Sequence, residues 1–166
     1  MPLKERFKLR IYGDPILRRK TEEIKEFNDS LSSLVERMIK VMFEKDGIGL
    51  AAPQVGISKR IAVVLKDNEP KVLINPTVVE ASTDMVEEKE GCLSFPEIYE
   101  VIKRPRWVKV KAFDLDGKEY LIEGEGLLAR ALLHEIDHLD GKLIIDYLSP
   151  ARRAIIKSKM RKLWAK

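Results

Sequence analysis

One cysteine (Cys92), one glutamine (Gln54) and two histidines (His134 and His138) are all that 166 residues hold of those three types. A lone cysteine excludes an internal disulfide, so a reducing cytoplasm is the expected setting. No apolar run approaches the roughly 20 residues of a membrane-spanning helix, and no membrane partner is expected. Met1-Pro2-Leu3-Lys4-Glu5-Arg6 leads into no apolar signal-peptide core. A large excess of one charge is also missing, because a net +4 is too mild to argue for nucleic acid by itself. A composition 45% hydrophobic and 35% charged excludes disorder. Few Asn, Gln and Cys beside abundant Lys and Glu suit a heat-tolerant protein, and single out the few that remain.

What is present reads as α+β, with no repeat, low-complexity tract or linker. Residues 28–45 predict a helix: Asn28 or Asp29 caps it, Leu31, Leu34, Met38, Val41 and Met42 recur at helical spacing, and Gly47 stops it. Arg60 to Leu65 and Val72 to Ile74 are short β-branched runs that predict strands. Val108 to Leu115 alternates, and Asp116-Gly117 turns it into Glu119 to Ile122, a hairpin. A second helix covers Leu127 to Leu139, closed by Gly141, and a third begins near Pro150. The expected fold class is α+β, with mostly antiparallel β-sheets packed around a central helix and a helix at the C-terminus.

The central helix carries His134-Glu135-Ile136-Asp137-His138. Histidines at i and i+4 stand one above the other, so both rings can meet one metal ion. Leu127 and Ala131 continue the same stripe, which turns the histidine face inward. Glu135, one step around the helix, can reach a metal-activated water as general base. An amphipathic helix with two solvated histidines would show the same spacing, but both of the chain's histidines fall on this one stripe.

Two ligands leave a site incomplete. One class of zinc peptidase places a third histidine six residues after the second, but Ile144 stands there. Another uses a downstream glutamate, and none follows Glu135. Asp140 follows His138 by two residues and is expected to face away. Cys92 is the remaining candidate, since thiolate and imidazole are natural companions around a borderline-soft divalent ion. A lone cysteine is commonly a small buried hydrophobe. The mixed polarity of Glu90-Gly91-Cys92-Leu93-Ser94, read as turn-like, argues against that. Gly47 to Gly56 is rich in small residues but has no Gly-Lys-Ser/Thr ending, which excludes a phosphate loop. Its Gln54 offers an amide donor of the kind that stabilises an oxyanion.

Together, three segments resemble the peptide deformylases: Gly47 through Gln54, Glu90 through Ser94, and His134 through His138, in that order and spacing. Ile11-Tyr12-Gly13-Asp14-Pro15 to Leu17-Arg18 is similar to that family's opening, so the resemblance spans nearly the whole chain. Two departures stand out: Leu133 where many members carry glutamine, and Phe95 where an aliphatic residue is usual. The resemblance implies one catalytic domain over residues 1–166. It implies a metal-dependent hydrolase that removes the N-formyl group from the initiator methionine of nascent proteins and releases formate. One divalent ion, natively Fe(II) and replaceable by zinc, nickel or cobalt, would be held by Cys92, His134 and His138 with a water in the fourth position. Glu135 would take the water's proton and pass it to the leaving amine, while Gln54 and the N–H of Leu93 stabilise the oxyanion. The peptide would lie extended along Ile48, Gly49 and Gly91. Ile48, Phe95, Leu127 and Ala131 would form the methionine pocket.

The tail has its own pattern. From Ala151 to Lys166 there are seven basic residues and no acidic one; taking seven from 31 leaves 24 against 27 acidic elsewhere. A solvated terminal helix docked through Ile155, Ile156, Met160 and Leu163 and a contact with the ribosome, through its RNA or protein, are equal readings of 150–166. Two other classes stay open for the whole chain. An endopeptidase would cleave unformylated peptides. A structural zinc module would close its site with a fourth ligand from Glu90, Asp137 or Asp140.

Overall fold

The structure is a computed structural model that describes residues 7–164; Met1 to Arg6 and Lys166, on which two of the expectations above bear, lie outside the described residues. Helix α1, Asp29–Glu44, begins where Asn28 accepts a hydrogen bond from the Leu31 N–H at 3.0 Å. Leu31, Val35, Met38 and Met42 are its buried stripe, with Leu34 and Val41 partly buried beside it. The left-handed residue that ends it is Asp46 (φ 54), while Gly47 donates its N–H back to the Met42 carbonyl.

Five antiparallel strands form the main sheet in the order β1 (Gly49–Ala51), β2 (Ile61–Lys66), β3 (Glu69–Ala81), β6 (Trp107–Phe113), β7 (Glu119–Glu125). Strands β4 (Met85–Cys92) and β5 (Phe95–Pro105) make a separate antiparallel pair. Helix α2, Leu127–Leu139, lies on the main sheet. Alternate residues of β2 settle the layering: Ala62 and Val64 pack with Leu132, Ile136 and Leu139 of α2, whereas Ile61 and Val63 pack with the buried stripe of α1. Burial on both faces explains why β2 is apolar without alternation. Helix α3, Pro150–Trp164, buries Ile156 and Met160 and part-buries Leu163 against a third cluster containing Leu17, Phe95 and Ile102. Ile155, expected to dock, is 42% exposed, because the buried row runs through 156, 160 and 163.

Three elements differ from the sequence reading. The predicted strand Val72 to Ile74 extends to Ala81: Asn75 (φ 51) and Pro76 make a bulge where β3 leaves β2 and takes up β6, with Ile74 pairing both Ile61 and Phe113. Leu115 falls in the turn after β6, which Asp114 organises by accepting the N–H groups of Asp116 and Lys118. The β4–β5 pair has no counterpart in the reading above. Its inner face carries the charged Glu90 and Arg104 as well as Ile98 and Ile102, so no apolar alternation announces it. Among the described residues no helix is long and apolar enough to cross a membrane.

Candidate active site

Helix α2 brings His134 and His138 one turn apart with Nε2 atoms 3.2 Å from each other. Cys92 ends β4, where a register shift between Gly91 and Cys92 aims its sulfur at the helix, 3.3 Å from His138 Nε2. The three donor atoms lie within 4.8 Å of one another, and among the described residues they form the one such group. Glu90, Asp137 and Asp140 do not close it. Glu90 is turned to the far side of His134, Asp137 is held by Arg104 at 2.7 Å and by the Tyr147 hydroxyl at 2.6 Å, and Asp140 pairs with Arg60.

Glu90 is the residue whose part the sequence hid. Its carboxylate accepts from His134 Nδ1 at 2.7 Å, twice from Arg104 (2.7 and 3.1 Å) and once from Arg130 (3.1 Å). Burial alone would raise its pKa; the hydrogen bonds of His134 and Arg104 outweigh that and hold it at about 2. An anion on Nδ1 keeps that nitrogen protonated and turns Nε2 towards Cys92 and His138. Burial depresses His134's pKa too, but the negative charges of Cys92 and Glu135 raise it well above the ordinary value. Burial lowers His138 strongly, as do the positive charges of His134 and Arg104. Two imidazole nitrogens and a thiol that meet within 4.8 Å of one another are a donor set that fits one divalent ion.

Glu135 is buried, and burial raises its carboxyl to about 7, with His134 and Arg104 pulling down and Glu90 and Asp137 pushing up. Its Oε1 has no hydrogen-bond partner among the described residues. Its other oxygen lies against the main chain of Gly49, where a Cβ would stand 2.5 Å away, so only glycine admits this approach. Gln54, on a 3-10 turn over Ala52–Val55, accepts from the Ala51 N–H at 2.9 Å through Oε1. Its Nε2 donates to Ser94 Oγ at 3.1 Å and lies 3.7 Å from Cys92 Sγ.

These groups open into a cleft of about 490 Å³. Every residue assigned to the site from sequence lines it, except His138, which is buried behind Cys92 and His134. Ala131 and Phe95 are buried at the floor; Ile48 and Leu127, 43% and 62% exposed, stand at the mouth. The stripe through Leu127 and Ala131, read as turned inward, runs from the core out into the cleft. Lys45, Asp46, Glu97 and Tyr99 also border the mouth, and none was singled out from sequence. Strand β1 is an edge of the main sheet and β4 pairs on one side only, so free strand edges at Gly49 and Gly91 flank the same cleft.

Comparison with known proteins gives consistent matches. A family model described as polypeptide deformylase matches residues 7–154. A peptide deformylase of Thermotoga sp. (strain RQ2) is 45% identical over 154 residues, covering 93% of this chain and 94% of the relative. The crystal structure of a peptide deformylase from Legionella pneumophila superposes with a TM-score of 0.89 at 40% identity, over 96% of this chain and 97% of that one. That of the Thermotoga maritima peptide deformylase gives 0.84 at 45% identity, over 87% and 98%.

Proposed function

The chain belongs to the polypeptide deformylase family, and from that membership we propose that it hydrolyses the N-formyl group from the initiator methionine of nascent proteins, releasing formate. The observation that carries the reading is the convergence of Cys92, His134 and His138 beside Glu135 and Gln54 in one cleft with free strand edges. A formylated peptide adds as an extended strand between Gly49 and Gly91, with Ile48 beside it. Its methionine side chain enters the apolar space among Ile48, Phe95, Leu127 and Ala131.

Cys92, His134 and His138 would hold one divalent ion, natively Fe(II), with zinc, nickel or cobalt able to replace it. When bound, the ion supplies Lewis acidity to water and to the formyl carbonyl. Glu135, set near neutrality by its burial, takes a proton from the attacking water and returns it to the leaving amine. Gln54 Nε2 and the Leu93 N–H donate to the oxygen that becomes negative as the formyl carbon turns tetrahedral. Activity on new chains places the protein in the cytoplasm, and the basic face of α3 is the surface that would meet the ribosome.

Formate release from an N-formyl-methionyl peptide, compared with cleavage of its unformylated and N-acetyl counterparts by metal-loaded protein, decides the matter. Formate from the first alone supports the reading. Internal cleavage of the unformylated peptide would establish an endopeptidase instead.

A further inference from the structure

The chain's N-terminal segment and its last helix meet behind the site, and their contacts run in an unbroken series to Gln54. The Arg10 N–H donates to the Gln54 carbonyl at 2.7 Å, and the Tyr12 N–H to the Ser94 carbonyl at 2.9 Å. Ser94 Oγ, fully buried, gives its only proton to the Arg10 carbonyl at 2.7 Å. It must therefore accept from Gln54 Nε2, and with Ala51 N–H on Oε1 the Gln54 amide has one permitted orientation. The main chains of Ala51 and, through Ser94, of Arg10 thus together set which way the site's amide donor points.

The same segment is held from outside by Trp164 of α3. Its indole lies so close to Gly13 (φ 110) that a Cβ there would stand 2.3 Å from the ring, and Nε1–H donates to the Tyr12 carbonyl at 2.5 Å. The Tyr12 ring stands between: 6.2 Å from Trp164 and stacked on Phe95 at 5.0 Å. Phe95 is the buried floor of the cleft. Trp164 is itself 46% exposed, so the contact is made by one half-buried ring at the end of α3.

We propose that Trp164 and Tyr12 are positioning residues, through which α3 fixes the Gln54–Ser94 amide geometry for the deformylation step. The inference rests on the function proposed above and adds a structural dependence of that site on the last helix. Gln54 acts on charge that develops only in the transition state, so a loosened latch lowers kcat and leaves KM and metal content alone.

The test compares wild type, Trp164→Ala, Trp164→Phe, Ser94→Ala and the Trp164→Ala/Ser94→Ala double variant, each with metal content measured, on one formyl-methionyl peptide. Trp164→Ala is expected to lower kcat about three- to tenfold, a fraction of the roughly 10²–10³-fold cost of losing an oxyanion donor outright. Trp164→Phe, which keeps a ring over Gly13 but loses the Nε1–H bond, is expected to fall between. In the Ser94→Ala background Trp164→Ala should add nothing, because the path it acts through is already cut. Unchanged kcat in Trp164→Ala, or losses that multiply in the double variant, would overturn the proposal. If Trp164→Ala does not fold, Trp164→Phe alone and in the Ser94→Ala background carries the same comparison. Absence of formate release by the wild type would instead overturn the functional reading.

Discussion

Glu135 and His138 share one turn of α2, yet their side chains are placed for different work. His138 points its Nε2 at Cys92 and His134, while Glu135 lies against Gly49 with one oxygen unpartnered in the cleft wall. Glu135→Gln is nearly isosteric and touches no ligand atom, so it should retain the ion and lose turnover by roughly 10²–10⁴-fold, the usual worth of a positioned proton acceptor. His138→Ala should instead lose the ion. Metal analysis beside formate release checks both, and a Glu135→Gln protein that retains full activity would sink its assignment. Scarcity made Cys92, Gln54, His134 and His138 legible as candidates, because residues so few in a chain invite a reason for each. Glu90 was quoted in its motif, but its support of His134 was not legible: it is one of 27 acidic residues. What distinguishes it is Arg104 arriving from β5 and Arg130 from α2, which only the fold supplies.

At the scale of elements, helices and apolar strands were readable and the charged hairpin was not. α1, α2 and β2 declare themselves by spacing or by continuous burial, whereas β4–β5 turns Glu90 and Arg104 inward. Arg104 also binds Asp137 and the Tyr147 hydroxyl, tying β5 to α2 and to the chain beyond it. Replacing it by leucine takes the shared cation from two carboxylates, one of them buried, and should cost about 3–5 kcal/mol in denaturant unfolding, as for other buried pairs broken from one side. It should also weaken the ion's hold roughly 10–100-fold through Glu90 and His134. If Arg104→Leu were as stable as wild type, the network would contribute nothing. The main sheet yields a pH prediction. The Tyr120 hydroxyl of β7 reaches past β6 to donate to the Val72 carbonyl of β3, and burial, aided by Asp114, raises its pKa from 10.0 to about 12. Between those values the unfolded chain has lost this proton and the folded one keeps it, so the stability it contributes below pH 10 is lost as pH rises towards 12. Tyr120→Phe should be about 1 kcal/mol less stable than wild type at neutral pH, with the gap closing over that interval. A gap constant from pH 9 to 12 in denaturant titrations would refute the shift.

Across the whole molecule, the candidate site lies at a joint. Cys92 comes from the two-stranded pair and the histidines from the helix that lies on the five-stranded sheet, and among the described residues no strand hydrogen bond joins the two sheets. Side chains do the joining: Arg130 donates to the Ile102 and Val86 carbonyls, and Arg104 to Asp137. An ion shared by Cys92, His134 and His138 would be one more tie across that joint, present only in the folded state. Its binding adds to stability by mass action, so chelation should lower the unfolding temperature, and the loss should shrink as free ion is restored. The effect should also be uneven. The β2–β3 ladder is anchored from both faces by α1 and α2 and should keep its amide protection. Gly91 to Phe95, at the hairpin end that carries the thiol, should exchange markedly faster once the ion is gone, because local opening there no longer has to break a coordinate bond. Hydrogen exchange on metal-loaded and chelated protein measures both regions at once. Equal acceleration of β2 and of Gly91 to Phe95 would mean that the ion stabilises the molecule only globally. No change in either would mean that Cys92 does not hold it.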